Sequence, residues 1–237
     1  MNKGLIFDLG FHIGQDTDFY LKKGFWVVGI DANPLLIEEG RKKFSEYIDA
    51  GRLVLLNVGI GLREEVLPFY VNKALSEWSS FDKSIGTSRG DYHVIEVPLV
   101  TLQSVAIKYG VPYYIKIDIE GHDFMAVQSL RDMDDKPKYI SVENGHAHMI
   151  KELYDQGYRK FKFVNQKYIQ DIKLTYPAKE GIFIDHVFPR GSSGPYGEEL
   201  LGEWMTKEEV TELSDSYWLN PERNENTHGW YDLHATF

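Results

Sequence analysis

The sequence predicts an α/β domain built on a mostly parallel sheet with helices on both faces. Three observations carry this. The stretch Leu5 to Asp31, LIFDLGFHIGQDTDFYLKKGFWVVGID, holds two short apolar runs separated by a helix-length amphipathic segment with Phe19, Tyr20 and Leu21. Short runs joined by a helical crossover pair in parallel, and the crossover is right-handed almost without exception. A second run, Tyr113 to Asp118, ends in a carboxylate before another helix, and a third, Lys138 to Val142, ends at Glu143 and Asn144. Strands that close on glycine or carboxylates place polar groups at one end of the sheet, where ligands of such sheets bind.

Composition bounds the rest. The 237 residues are 43% hydrophobic and 14% aromatic, enough for one large domain with a substantial core. No run reaches the roughly 18 apolar residues of a membrane span, and the first strand starts near residue 4, so a soluble, cytoplasmic protein is expected. Cysteine is absent, which removes disulfides, thiolate chemistry and cysteine-rich zinc sites. With 36 acidic against 26 basic residues the net charge is −10, and no basic stripe stands out, so nucleic acid is not an expected partner.

The first loop is Asp8-Leu9-Gly10-Phe11-His12-Ile13-Gly14, a DxGxxxG pattern. It lacks the middle glycine of the GxGxxG dinucleotide fingerprint, and Asp8 would repel a diphosphate. A carboxylate there suits a cationic ligand such as the ammonium of a methionine moiety. Gly10 allows the tight turn, Gly14 allows close approach of helix to strand or ligand, and Asp31 stands where it could accept both hydroxyls of a ribose. The two glycines could also serve only a turn in a non-binding domain.

Along the chain, Asn33-Pro34 predicts an N-cap and a first-turn proline for a helix through Leu36, Ile37 and Phe44 that Gly51 stops. Arg52 to Val58 predicts the third strand, and Gly59 and Ile60 just past it are candidates for an adenine pocket. Glu64 to Val71 and His93 to Leu99 alternate apolar with polar residues, predicting extended segments around a loop, Ser76 to Asp91, that could cover a cofactor. Ser79 and Ser80 in it either contact ligand or make turns. Thr101 predicts an N-cap for a helix ended by Gly110. Beyond Glu143, a helix through Ile150, Leu153 and Tyr154 ends at Gly157, and Phe161 to Val164 and Gly181 to Ile184 read as two further strands. From residue 188 the composition turns glycine-rich and acidic, with too few aliphatics for a core of its own. The expected organisation is therefore a ligand-binding domain, 1–187, with a C-terminal lid or tail, 188–237, packed on it.

IKIDIEGHDFMAV, from Ile115 to Val127, resembles the KIDxEGxE signature of the FkbM-type S-adenosylmethionine-dependent methyltransferases. DLGFHIGQDT, IDANP, VPLVTL and SVEN run parallel to other features of that family, and the resemblance covers roughly residues 4 to 145. Two positions depart from it: the glutamate after EGH is Asp123 here, and the alanine-asparagine pair in the glycine loop is Phe11-His12. The resemblance implies a class I methyltransferase, a Rossmann-like sheet of seven strands, one antiparallel, with Phe161–Val164 and Gly181–Ile184 as its edge hairpin. It implies S-adenosylmethionine bound by Asp8, Gly10, His12, Gly14, Thr17, Asp31, Ala32, Asn33, Gly59, Ile60 and Asp118.

Two chemistries then serve an acceptor hydroxyl. Asp118, Glu143 and Asn144 could hold Mg²⁺, carboxylate and amide oxygens suiting a hard ion, or the carboxylates could merely cap helices and pair with Lys116. Alternatively His122 or Glu120 takes the proton directly, with His146 as a further candidate. His228 and His234 lie in the tail and are expected to be exposed. The family implies O-methylation of a sugar, glycolipid or other small molecule, with N-methylation of a protein side chain as the alternative. A non-catalytic nucleotide-binding protein and an NAD-dependent oxidoreductase are the competing classes.

Overall fold

The structure is a computed structural model and describes residues 2–88, 90–224 and 228–237. In chain order the elements are β1 (Asn2–Leu9), α1 (Gln15–Lys22), β2 (Trp26–Ile30), α2 (Pro34–Lys43), α3 (Ser45–Asp49), β3 (Leu53–Leu56), β4 (Gly59–Ile60), β5 (Glu65–Asn72), α4 (Lys83–Gly86), β6 (Tyr92–Val100), α5 (Leu102–Tyr109), β7 (Pro112–Ile117), α6 (Asp123–Ser129), β8 (Tyr139–Glu143), α7 (Ala147–Asp155), β9 (Lys160–Asn165), α8 (Lys207–Trp218) and β10 (Tyr231–Thr236).

Seven strands form one sheet in the order β3-β2-β1-β7-β8-β10-β9, and β4, β6 and β5 form a smaller one. The large sheet is parallel except for β10, which runs antiparallel to both β8 and β9. This is the class I methyltransferase sheet, with its antiparallel strand drawn from a different segment than expected. Gly181–Ile184 is irregular, and Tyr231–Thr236 takes its place between β8 and β9. The region expected as a lid thus supplies a strand to the sheet. His234, expected to be exposed, is 2% exposed within that strand.

Each strand alternates between two cores. On β1, Leu5, Phe7 and Leu9 join α5, α6, α7 and α8 on one face, while Ile6 joins α1, α2 and a long irregular strap before α8 on the other. Period-2 alternation then places Asp8 of β1 and Lys116 of β7 on the Ile6 face, towards α1. All six residues of β7 are buried, as expected of a central parallel strand covered on both sides. The helices start where the sequence places caps: the Asn33 side chain accepts the Leu35 N–H with Pro34 in the first turn, and Thr101 accepts from Ser104. The predicted helix from Pro34 towards Gly51 is broken at Phe44, whose φ of −110° separates α2 from α3.

The strap is pinned by buried contacts. Tyr196 stacks on Tyr114 with ring centroids 4.1 Å apart, and Glu199 pairs with Lys23 at 2.8 Å, both side chains almost wholly buried.

Candidate active site

A cleft of about 830 Å³, its open mouth included, lies at the carboxyl ends of β1, β2 and β7 and beneath the segment that follows β5. Its wall carries Asp16, Asp31, Glu77, Asp118 and Glu120 against Lys116, an acidic lining that suits a cationic ligand and not a diphosphate.

Gly10 shapes its floor. The Gly10 N–H donates to the Ile30 carbonyl at 2.9 Å, and the Asp118 N–H donates to the Leu9 carbonyl at 3.0 Å. This brings β7 so close that a Cβ on Gly10 would sit 1.7 Å from the Asp118 carbonyl oxygen, and Gly10 has φ +85°. Gly14, read as allowing close approach of helix to strand or ligand, makes room for aromatic packing. A Cβ there would meet the rings of Phe44 and Phe11, and Gly29 and Gly40 also make room for Phe11. The phenylalanine that departs from the family pattern is a buried knob in a notch made by three glycines.

Asp31 closes β2. One of its carboxylate oxygens accepts the His12 N–H and the other the Asn33 N–H, each at 2.8 Å, and burial raises its pKa against those two bonds. Ala32, Gly59 and Ile60 line the same side of the cleft. Asn33 itself is a helix cap, buried and turned away from the lining.

Asp8 and Thr17 stand behind the wall. The Thr17 hydroxyl donates to Asp8 at 2.6 Å, and Lys116 Nζ lies 3.5 Å from Asp8, 3.7 Å from Asp16 and 3.4 Å from Asp118 while donating to the Gly10 carbonyl at 3.0 Å. Burial is the main cause of the raised pKa of Asp8 and of Asp16, the latter pushed up to about 7. The pairing of strand-end carboxylates with Lys116 is therefore real, and it serves the floor of the cleft.

Among the described residues, three that are not glycine adopt left-handed backbone conformations: His12 (φ 48°), Glu120 (φ 47°) and Asn144 (φ 54°). Each follows a strand end, and such strain concentrates at functional sites. Glu120 lies in the cleft wall, its pKa pushed up to about 8 by burial first, then by the charges of Asp118, Asp123 and Glu77. Carboxylate oxygens of Asp118, Glu120 and Glu143 come within 4.8 Å of one another. Glu143 is held well above the usual carboxylate range by burial and by Asp118, Glu120, Asp123 and Asp232, its cross-strand partner on β10. Acidic side chains this close share protons without needing an ion, so the grouping does not define a metal site. Asn144, expected beside them as a ligand, is fixed through its N–H to the Tyr231 carbonyl at 3.0 Å.

The two histidines stand off the lining. His122 packs on Phe81 with centroids 4.8 Å apart, so Phe81, which lines the cleft, lies between. Burial lowers the His122 pKa, and its Nδ1 has no hydrogen-bond partner among the described residues. His146 precedes α7 and stacks on Trp218 at 3.8 Å.

Sequence reasoning passed over Asp16, Ser76, Glu77, Gly191 and Asp232. Asp16 stands two residues past Gly14 in the first turn of α1; Asp232 arrives from a distant strand and gave no signal.

The sheet order and a cleft over the ends of its central strands are those of the class I methyltransferase fold. The chain belongs to the methyltransferase FkbM domain family, whose model matches residues 8–160. Comparison by sequence with curated proteins gives no match. Among solved structures, the chain is similar to an FkbM methyltransferase of Methylobacillus flagellatus, 17% identical, over 68% of this chain and 40% of that one, with a TM-score of 0.48. It therefore spans two fifths of the length of that protein. It is also similar to a precorrin-6Y C5,15-methyltransferase of Geobacter metallireducens, 9% identical, over 98% of this chain and 78% of that one, with a TM-score of 0.41. An SAH-bound methyltransferase of Podospora anserina is 14% identical over 60% of this chain and 46% of that one, with a TM-score of 0.32.

Proposed function

We propose that the protein transfers a methyl group from S-adenosylmethionine, held in the cleft, to a hydroxyl of a sugar, glycolipid or other small molecule. The observation that carries this reading is Glu120: a carboxyl in the wall, fixed by a left-handed backbone, with a proton affinity near neutrality.

The lining fits the cofactor. Asp31 retains lone pairs for two ribose hydroxyls beyond the two N–H groups it already accepts. Asp16, Asp118 and Lys116 offer donors and acceptors to the amino and carboxylate groups of the methionine moiety, with Asp8 and Thr17 bracing them from behind. When bound, S-adenosylmethionine supplies an electrophilic methyl on a cationic sulfur. Glu120 receives the proton of the acceptor hydroxyl, and burial first, then the charges of Asp118, Asp123 and Glu77, keep its basicity high. No step is assigned to a metal or to His122; Mg²⁺ at Asp118, Glu143 and Asn144 remains the reading that a chelator tests.

Calorimetric titration with S-adenosylmethionine, S-adenosylhomocysteine and NAD separates this enzyme from an oxidoreductase, since only the first two are expected to bind. Methyl-labelled cofactor offered with a panel of sugars and phenols tests the transfer. Glu120→Gln is expected to lower turnover by about 10²–10⁴-fold while leaving cofactor affinity within about twofold. Full turnover in that variant removes Glu120 from the reaction, transfer to no hydroxyl in the panel refutes the acceptor class, and loss of activity with chelator moves the role to a metal.

A further inference from the structure

The segment Ser76–Phe81 runs from β5 towards α4 along the mouth of the cleft, which it lines with Ser76, Glu77, Ser79 and Phe81. Two strained residues of the wall are tied to it. His12 Nε2 lies 3.0 Å from the Ser76 hydroxyl, and the Ser80 hydroxyl donates to the Glu120 carbonyl at 2.5 Å. A left-handed backbone at a residue with a side chain is strained and persists only where its surroundings impose it.

Ser80 has the means to impose it. It is fully buried, and it exchanges both backbone hydrogen bonds with Tyr70 of β5, at 2.9 and 3.1 Å, so its hydroxyl is fixed to the smaller sheet. The same oxygen accepts the Asp82 N–H at 2.9 Å, which leaves its proton directed at Glu120. From the other side, the Asp123 carboxylate accepts the N–H groups of Ile119 and Gly121, at 2.9 and 3.0 Å, so both neighbours of Glu120 are held. A segment that only covered a cofactor would need the ring of Phe81 and no hydroxyl aimed at a carbonyl.

We propose that Ser80 is a positioning residue for Glu120 and Ser76 for His12, so that the smaller sheet sets the geometry of the reacting end of the cleft. The inference rests on Glu120 as the proton acceptor. Ser80 lets the Glu120 carbonyl turn away from the reaction, which directs the carboxyl group inwards to Asp118 and Glu143. Ser76 holds the His12 ring, and with it the N–H that His12 gives to Asp31.

The test uses the full chain, methyl-labelled S-adenosylmethionine and the panel sugar or phenol turned over fastest. Ser80→Ala is expected to lower kcat at least tenfold with the affinity for S-adenosylhomocysteine within twofold, and Ser80→Ala combined with Glu120→Gln to lose no more than Glu120→Gln alone. Ser76→Ala is expected to weaken S-adenosylhomocysteine binding three- to tenfold. In crystals of Ser80→Ala, Glu120 is expected to leave the left-handed region and its carboxyl to part from Asp118 and Glu143. If Ser80→Ala does not fold, Ser80→Cys, nearly the same shape with a weaker donor, is read by the same measurements. An unchanged kcat, additive losses in the double variant, or a Glu120 that keeps its positive φ overturns the proposal. Where no panel acceptor is turned over, the crystal structure decides alone. Full activity in Glu120→Gln overturns the reading of Glu120 as proton acceptor and leaves the Ser80 tie to be judged by φ.

Discussion

At the scale of single residues, the wall of the cleft is a set of carboxyl groups whose neighbours decide what each can do. Asp31 is fixed by two backbone donors and faces the cleft. Asp31→Ala is expected to weaken S-adenosylmethionine binding by about 1.5–3 kcal/mol, the scale of hydrogen bonds to a charged group, in a calorimetric titration. Asp16 is different, because burial pushes its pKa up to about 7 from an ordinary value of 3.8. A folded-state pKa above the unfolded one favours the folded protein below about pH 4, and that contribution is lost as pH rises through about 7. Asp16→Asn keeps an acceptor for the Ser193 N–H, now 2.9 Å away, and has no proton to lose. Its stability in urea is therefore expected to improve relative to the unsubstituted protein between pH 5 and pH 8. Among the candidates named in advance, Asp31 and Gly10 sit directly after a strand and Glu120 in the turn after β7, where sequence order and spatial order coincide. Asp232 and Gly191 gave no signal and Ser80 was named only as a ligand contact or turn residue, because what ties each to the site is a neighbour far away in the chain.

Among the elements, the caps at Asn33 and Thr101 were legible, and the one at Thr206, inside the stretch expected as a lid or tail, was missed. Helix α8 opens with a capping box in which the Thr206 side chain accepts the Glu209 N–H and Glu209 answers the Thr206 N–H. Thr206→Ala is expected to cost about 1 kcal/mol in chemical denaturation, with the cleft and cofactor affinity untouched. The central strands were equally plain, since short runs rich in β-branched and aromatic residues, such as Tyr113–Ile117, suit a buried parallel strand. The antiparallel strand was not. Gly181–Ile184 has the apolar look of a strand and joins no sheet among the described residues, whereas Tyr231–Thr236 carries Asp232 and His234 and yet is buried between β8 and β9. Burial of His234 pushes its pKa down to about 3, so it enters the sheet as a neutral ring. Composition steers such a segment to the surface; its pairing partners overrule composition, and they lie elsewhere in the chain.

For the molecule as a whole, the strap and β10 decide how the two faces of the sheet are held together. Lys23, just past α1, and Glu199 of the strap form an ion pair with side-chain exposures of 0% and 1%. Replacing Lys23 with Met would leave Glu199 charged, buried and without its partner, and is expected to cost about 3–5 kcal/mol in equilibrium unfolding. A tail rich in glycine and carboxylates predicted a lid packed on the domain, and the sequence offered no way to see that Tyr196 and Glu199 would be buried, because their pockets are made by Tyr114, Tyr139 and Lys23. The placement of β10 carries a kinetic consequence. Tyr231–Thr236 fills a gap one strand wide between β8 and β9, and closing it joins Asp232 to Glu143 from far along the chain. Refolding is therefore expected to be limited by that insertion, and strand-exchanged dimers, in which the gap takes the same six residues from another molecule, are the expected misfolded product in size-exclusion chromatography after refolding at high protein concentration.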